Sequence, residues 1–131
     1  MSLGELHILS TENTPEFLFS PDGMIRIKGR GLFQNKTEVI EQIMNWIDEY
    51  LDNPAEKTYV IIAFEYLNSF STTILVSILG KLSKVILHSE QLVVQWYYEE
   101  DDEDIIERGE YIASTFNIPI VFILTKSLTD L

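Results

Sequence analysis

The stretch Asn68-Ser69-Phe70-Ser71-Thr72-Thr73 puts four hydroxyl side chains into five residues, directly after an apolar run that ends at Tyr66-Leu67. Hydroxyls grouped in this way can cap a helix, hold a phosphate, act as nucleophiles or accept a phosphoryl group. A second group is the acidic run Glu99-Glu100-Asp101-Asp102-Glu103-Asp104. A hard cation needs carboxylates converging from several directions, whereas these are consecutive. The run also precedes a helical pattern, where negative charge meets a favourable dipole and Asp101 or Asp102 can cap. A solvated acidic helix start is therefore the first reading. A partner-facing acidic patch comes second and a metal site last.

Other reactive residues are sparse. His7 and His88 are far apart, and neither sits in a motif. No GxSxG elbow, HExxH, P-loop or GxGxxG occurs. Gly29-Arg30-Gly31 is too short to cradle a phosphate by itself. Asn35-Lys36-Thr37 matches a glycosylation sequon, but capping is the better use of it. With no cysteine in 131 residues, disulfides, thiolate metal sites and a Cys nucleophile are excluded. The formal charge of −12 argues against nucleic-acid binding, which needs a basic surface. No N-terminal signal pattern appears and no apolar run approaches membrane-spanning length, so the expectation is a cytoplasmic protein that engages no membrane.

The elements that must position these residues read as one α/β domain. "ELHILS" (5–10) is a short first strand, and "EFLFSPDGMIRIKGR" is a hairpin turned by Pro21-Asp22-Gly23. "NKTEVIEQIMNWIDEYLDN" is the clearest helix, with Asn35 and Glu38 as a capping-box pattern. Its apolar residues Val39, Ile40, Ile43, Met44, Trp46, Ile47, Tyr50 and Leu51 share an arc of roughly 160°. "TYVIIAFEYL" lacks alternation and predicts a central strand buried on both faces. A helix to about Leu87, the strand "QLVVQWYY", the helix "DEDIIERGEYIASTF" and the strand "IPIVFIL" follow. The order predicts a mixed sheet with an N-terminal hairpin and about three helices packed on it. In such sheets sites gather at the C-terminal ends of the parallel strands, where both the hydroxyl cluster and the acidic run fall.

Within the second helix, Ile74, Leu75, Ile78, Leu79, Leu82, Val85 and Ile86 form a core arc of roughly 140°. Val76 and Leu87 lie outside it, close on the wheel to Ser69 and Gly80, with Thr73 alongside. One reading is a plain cap by Asn68 or Ser69. The other is a strip of small and apolar residues that forms a partner surface.

The segment "EYLNSFS" resembles the Tyr-x-Asn-Thr-Ser-Ser motif of the SiaC family of bacterial regulatory phosphoproteins. "WYYEEDDEDIIERGEYIA" resembles that family's Trp-Tyr-Tyr/acidic segment, and "GRG…EVIEQIMNWIDEYL" its first helix and approach. The likeness spans about Leu6 to Phe122. It implies a STAS-like fold and a non-enzymatic partner switch in the manner of anti-sigma-factor antagonists. In such a switch a Ser/Thr protein kinase phosphorylates the helix-start hydroxyl and a PP2C-type phosphatase removes the phosphate. The unmodified form binds a target, which in one branch of the family is a diguanylate cyclase that it activates. By position the phosphorylated threonine of the motif corresponds to Ser69 and its last serine to Ser71. Phe70 replaces a motif serine, and "LFQN" after Gly31 lacks the family's proline-glutamate. The partner surface expected from these residues comprises Asn68, Ser69, Phe70, Ser71, Thr73, Val76, Gly80, Asp101 and Asp102. No metal or cofactor is expected. The rival is a small-ligand-binding or enzymatic α/β module with a pocket at the strand ends.

Overall fold

The computed structural model describes residues 3–35, 37–88 and 90–131, with the side chain of His88 outside the described set. The chain runs β1 (Leu6–Ile8), β2 (Glu16–Phe19), β3 (Met24–Gly31), α1 (Glu38–Asp52), β4 (Lys57–Leu67), α2 (Ser69–Leu82), β5 (Gln91–Glu99), α3 (Glu103–Phe116) and β6 (Ile120–Thr125). Short 3-10 segments occupy Ser83–His88 and Leu128–Asp130. The strands lie in sequence order across one six-stranded sheet. β1, β2 and β3 pair antiparallel, and β3 through β6 pair parallel. The mixed α/β fold expected from the sequence is the fold observed.

Each crossover steps to the next strand in the same direction. Right-handed connections therefore place all three helices on one face of the sheet. On that face Trp46 of α1 meets Phe19 with ring centroids 5.4 Å apart, and the Tyr50 hydroxyl lies 2.7 Å from that of Thr58. α2 buries Ile74, Leu75, Ile78 and Leu79. In α3, a side chain at Gly109 would lie 2.6 Å from Phe122 and 2.8 Å from Trp96, so glycine lets the helix rest directly on β5 and β6. The Trp96 indole then donates to the Ile105 carbonyl at 3.1 Å.

The opposite face carries His7, Glu16, Leu18, Arg26, Lys28, Tyr59, Ile61 and Gln95 by strand register. The C-terminal segment crosses part of this face. Leu128 is buried, its amide donates to Glu99 at 3.0 Å, and Lys28 donates to the carbonyls of Thr129 and Leu131. Tyr59 and Ile61 are only half-buried. The expectation that β4 is buried on both faces fails here because one face has helices and the other does not.

Three other expectations need correction. The α1 cap is Thr37, whose hydroxyl accepts from the Ile40 amide at 3.3 Å, and not Asn35. The α-helical spacing of α2 stops at Leu82, and the tighter 3-10 turn that follows shifts later side chains by about 20° per residue. Val85 thus stays buried while Ile86, expected in the core, is 55% exposed. Finally, Ser69–Leu87 spans 19 residues at a hydropathy of 1.5, long and apolar enough by those measures to cross a membrane. The sequence reading found no such run. Here much of its apolar side lies on the sheet.

Candidate functional site

α2 begins where β4 ends, and the backbone there is tied to the loop after β3. The Asn68 amide donates to the Gly31 carbonyl at 2.9 Å, and its side-chain amide donates to the Phe33 carbonyl at 2.9 Å. Its Oδ1 accepts from the Ser71 amide at 2.8 Å, which makes Asn68 the N-cap. Capping removes one of the unsatisfied donors of the first turn.

The four hydroxyls then separate by role. Ser71 is 4% exposed, and its Oγ accepts from the Phe33 amide at 2.9 Å. Thr72 donates to the Asn68 carbonyl at 2.8 Å, and Thr73 donates to the Ser69 carbonyl at 3.1 Å. Ser69 is exposed, and its hydroxyl makes no hydrogen bond among the described residues. Three hydroxyls therefore serve the fold, and one faces solvent without a hydrogen bond among the described residues.

Ser71 was expected on the partner surface, and the structure corrects this. Its hydroxyl is needed inside to satisfy the buried amide of Phe33. Phe70 is half-buried on the opposite flank of α2 from the Ser69 groove described below, in a furrow with Ile40, Met44 and Ile74. Thr73 is exposed on the crest. Val76 is partly buried against the core. Gly80 is exposed, and a side chain added there would meet nothing within 4 Å. Val76 follows Ser69 and Thr72 along one row of the helix by i, i+3, i+7 spacing.

The acidic run comes to the same edge of the sheet, because β4 and β5 are parallel neighbours. Asp102 caps α3 by accepting from the Ile105 amide at 3.3 Å. Asp101 is exposed in a left-handed turn with φ of 70°. Asp102, Asp104 and Arg108 share a hollow with Asn68, Leu67 and Tyr66. Beside it a groove between α2 and α3 is lined by Ser69, Thr72, Thr73, Asp104, Glu107, Arg108 and Tyr111. Among the described residues no group of three or more His, Cys, Asp and Glu is arranged to hold a metal. His7 lies elsewhere, on the helix-free sheet face, 2.9 Å from Glu16.

Arg108 and Tyr111 were not anticipated. A signal for Arg108 existed: it is the one Lys or Arg between Lys84 and Lys126. What the sequence does not give is its approach to α2, where Nη1 lies 3.5 Å from the Thr72 hydroxyl.

A family model for SiaC family regulatory phosphoproteins matches residues 8–125. An uncharacterized protein of Pseudomonas aeruginosa strain UCBPP-PA14 is 22% identical over 118 residues, 89% of this chain and 94% of that one. Two solved structures share the fold. One is a crystal structure of the diguanylate cyclase SiaD in complex with its activator SiaC from P. aeruginosa, with a TM-score of 0.80, 21% identity, and 92% of this chain and 99% of that chain covered. The other is apo-SiaC from P. aeruginosa, with a TM-score of 0.78, 23% identity, and coverage of 93% and 98%.

Proposed function

The chain belongs to the SiaC family of regulatory phosphoproteins, and on that premise we propose that it is a non-enzymatic partner switch controlled by phosphorylation of Ser69. In its unmodified form it binds a target protein through the outer row of α2 and the adjoining acidic loop. The target proposed is a diguanylate cyclase, by analogy with the SiaC that was crystallised as activator of SiaD. A Ser/Thr kinase adds the phosphate and a PP2C-type phosphatase removes it.

The observation that carries this reading is the division of labour among the hydroxyls. Ser69 alone among Ser69, Ser71, Thr72 and Thr73 is both exposed and without a hydrogen bond among the described residues. A phosphate there adds roughly −1.5 to −2 charge at a helix N-terminus, which tolerates it, so the fold survives. A partner seated over Ser69 and Val76 would meet a bulky, strongly hydrated dianion in place of a small hydroxyl, and binding is lost. The acidic residues Asp101 and Asp102 on the same edge favour a basic partner surface.

The test has two arms. The chain is incubated with its cognate kinase and the phosphate is mapped by mass spectrometry. Wild type, Ser69→Ala and Ser69→Asp are then used to capture diguanylate cyclases of the source bacterium. Modification at Ser69, capture by wild type and Ser69→Ala, and loss with Ser69→Asp support the reading. Phosphate confined to Thr72 or Thr73, or equal capture by all three proteins, overturns it.

A further inference from the structure

We propose that Arg108 receives the phosphate of modified Ser69, so that phosphorylation ties the start of α2 to α3 across the groove between them. The proposal rests on the reading of Ser69 as the modified residue and says what the phosphate then does.

Arg108 stands at an unusual place. Asp104 lies one turn before it on α3, the orientation in which an acid and an arginine pair well on a helix. Glu107 is its chain neighbour. Yet Arg108 takes part in none of the ion pairs formed among the described residues, which join His7 and Arg26 to Glu16 and Lys81 to Asp48. Its guanidinium leans instead toward α2 and the Thr72 hydroxyl, 3.5 Å away. Thr72 already donates its proton to the Asn68 carbonyl, so it has only lone-pair capacity to offer. Arg108 is half-buried, and its guanidinium thus keeps most of its donors for another acceptor.

Ser69 is three residues before Thr72 and lines the same groove. Side chains at that spacing are neighbours on a helix, with Cβ atoms about 5–6 Å apart. A phosphate on Ser69 extends outward from this row and brings three acceptor oxygens toward the arginine. The planar guanidinium can grip two of them at once. The charged groups that line the groove are Asp104, Glu107 and Arg108, with Tyr111 beside them and no charged residue from α2. Without Arg108 the dianion would face two carboxylates. Arg108 therefore adds to the helix N-terminus in making the modified state tolerable at this position, and its contact ties the phosphate to α3.

The test uses the 131-residue chain with phosphoserine placed at position 69 by genetic encoding, so it needs no kinase and no target. The second ionisation of the phosphate is followed by phosphorus NMR in wild type, Arg108→Gln and Arg108→Lys. The expected result is an ionisation about one pH unit or more lower in wild type than in Arg108→Gln, with Arg108→Lys between them. Identical titrations in wild type and Arg108→Gln overturn the proposal. A second measurement needs no variant: hydrogen exchange at the Arg108 Nε–H of wild type slows on phosphorylation if the contact forms, and unchanged exchange overturns it. Mapping of the kinase site bears on the proposed function and leaves these two readouts as they are.

Discussion

α1 and α2 are nearly equal in length, 15 and 14 residues, and lie side by side on the same face of the sheet. Their inner faces do the same work. Their outer faces differ in kind. α1 exposes Glu38, Glu41, Gln42, Asn45, Asp48 and Glu49. α2 exposes Ser69, Thr73, Ser77 and Gly80. Carboxylates hold their water firmly, and covering them without a counter-charge is costly. Small hydroxyls and a glycine are cheap to desolvate and let another backbone come close. A partner can therefore sit on α2 where it cannot sit on α1. The difference also gives phosphorylation its leverage, since one dianion makes the surface of α2 as hard to cover as that of α1.

The largest effect tests whether the inner faces are equivalent. Leu79 of α2 and Ile47 of α1 are both fully buried. Leu79→Ala and Ile47→Ala should each cost about 2–5 kcal/mol in urea or guanidinium unfolding. A cost below about 1 kcal/mol at Leu79 alone would mean that α2 is not core and the two-face picture is wrong.

Next comes the outer row. Val76→Arg puts a long charged side chain on α2 beside Ser69. It should weaken capture of the target by about 2–3 kcal/mol, roughly a hundredfold, as loss of a central contact does. Val76 is partly buried, but arginine can extend to water, so unfolding should shift by only about 1 kcal/mol. The matching change on α1, Gln42→Arg, should leave both readouts within about 0.5 kcal/mol. Equal loss of binding from the two variants would erase the distinction between the helices.

A smaller effect is expected at the cap. Asn68→Ala removes the acceptor for the Ser71 amide and the donor to the Phe33 carbonyl. It should cost about 1–2 kcal/mol of stability. Because the same substitution loosens the loop at Phe33, hydrogen exchange should quicken at Phe33 and Ser71 and stay unchanged in α1.

Much of this contrast was legible in the sequence, and the parts that were not have physical causes. The apolar arcs of α1 and α2 follow from their spacing, and so does the order of strands and helices along the chain; parallel pairing of the later strands then puts both polar clusters at one sheet edge. Local periodicity is strong there, and the crossover rule does the rest. The choice among the hydroxyls was less legible. Ser71 is drawn inward by the Phe33 amide, a partner 38 residues away that no local pattern reveals. Ile86 moved outward because the helix tightened after Leu82, a change that the constant 100° step cannot anticipate. Arg108 stood out as a lone cation but gained its meaning only when α3 came to lie against α2. The helix-free second face of the sheet was missed because the apolar content of β4 reads alike whether helices cover one side or two.

The smallest effect concerns what joins the two helices. Asp48 of α1 and Lys81 of α2 form the one ion pair between these helices among the described residues. The aspartate side chain is 56% exposed and that of the lysine 31%, so water and salt screen the attraction. Asp48→Asn should therefore cost no more than about 1 kcal/mol, and the difference should fade as salt is raised toward 1 M. If the helices are held by their apolar faces, this variant should also bind the target as well as wild type, because Asp48 lies on the side of α2 away from Ser69. A cost of several kcal/mol that persists in high salt would show that the pair orders α2 against α1. The outer row of α2 would then depend on α1 for its position, and the division of labour between the two helices would need to be redrawn.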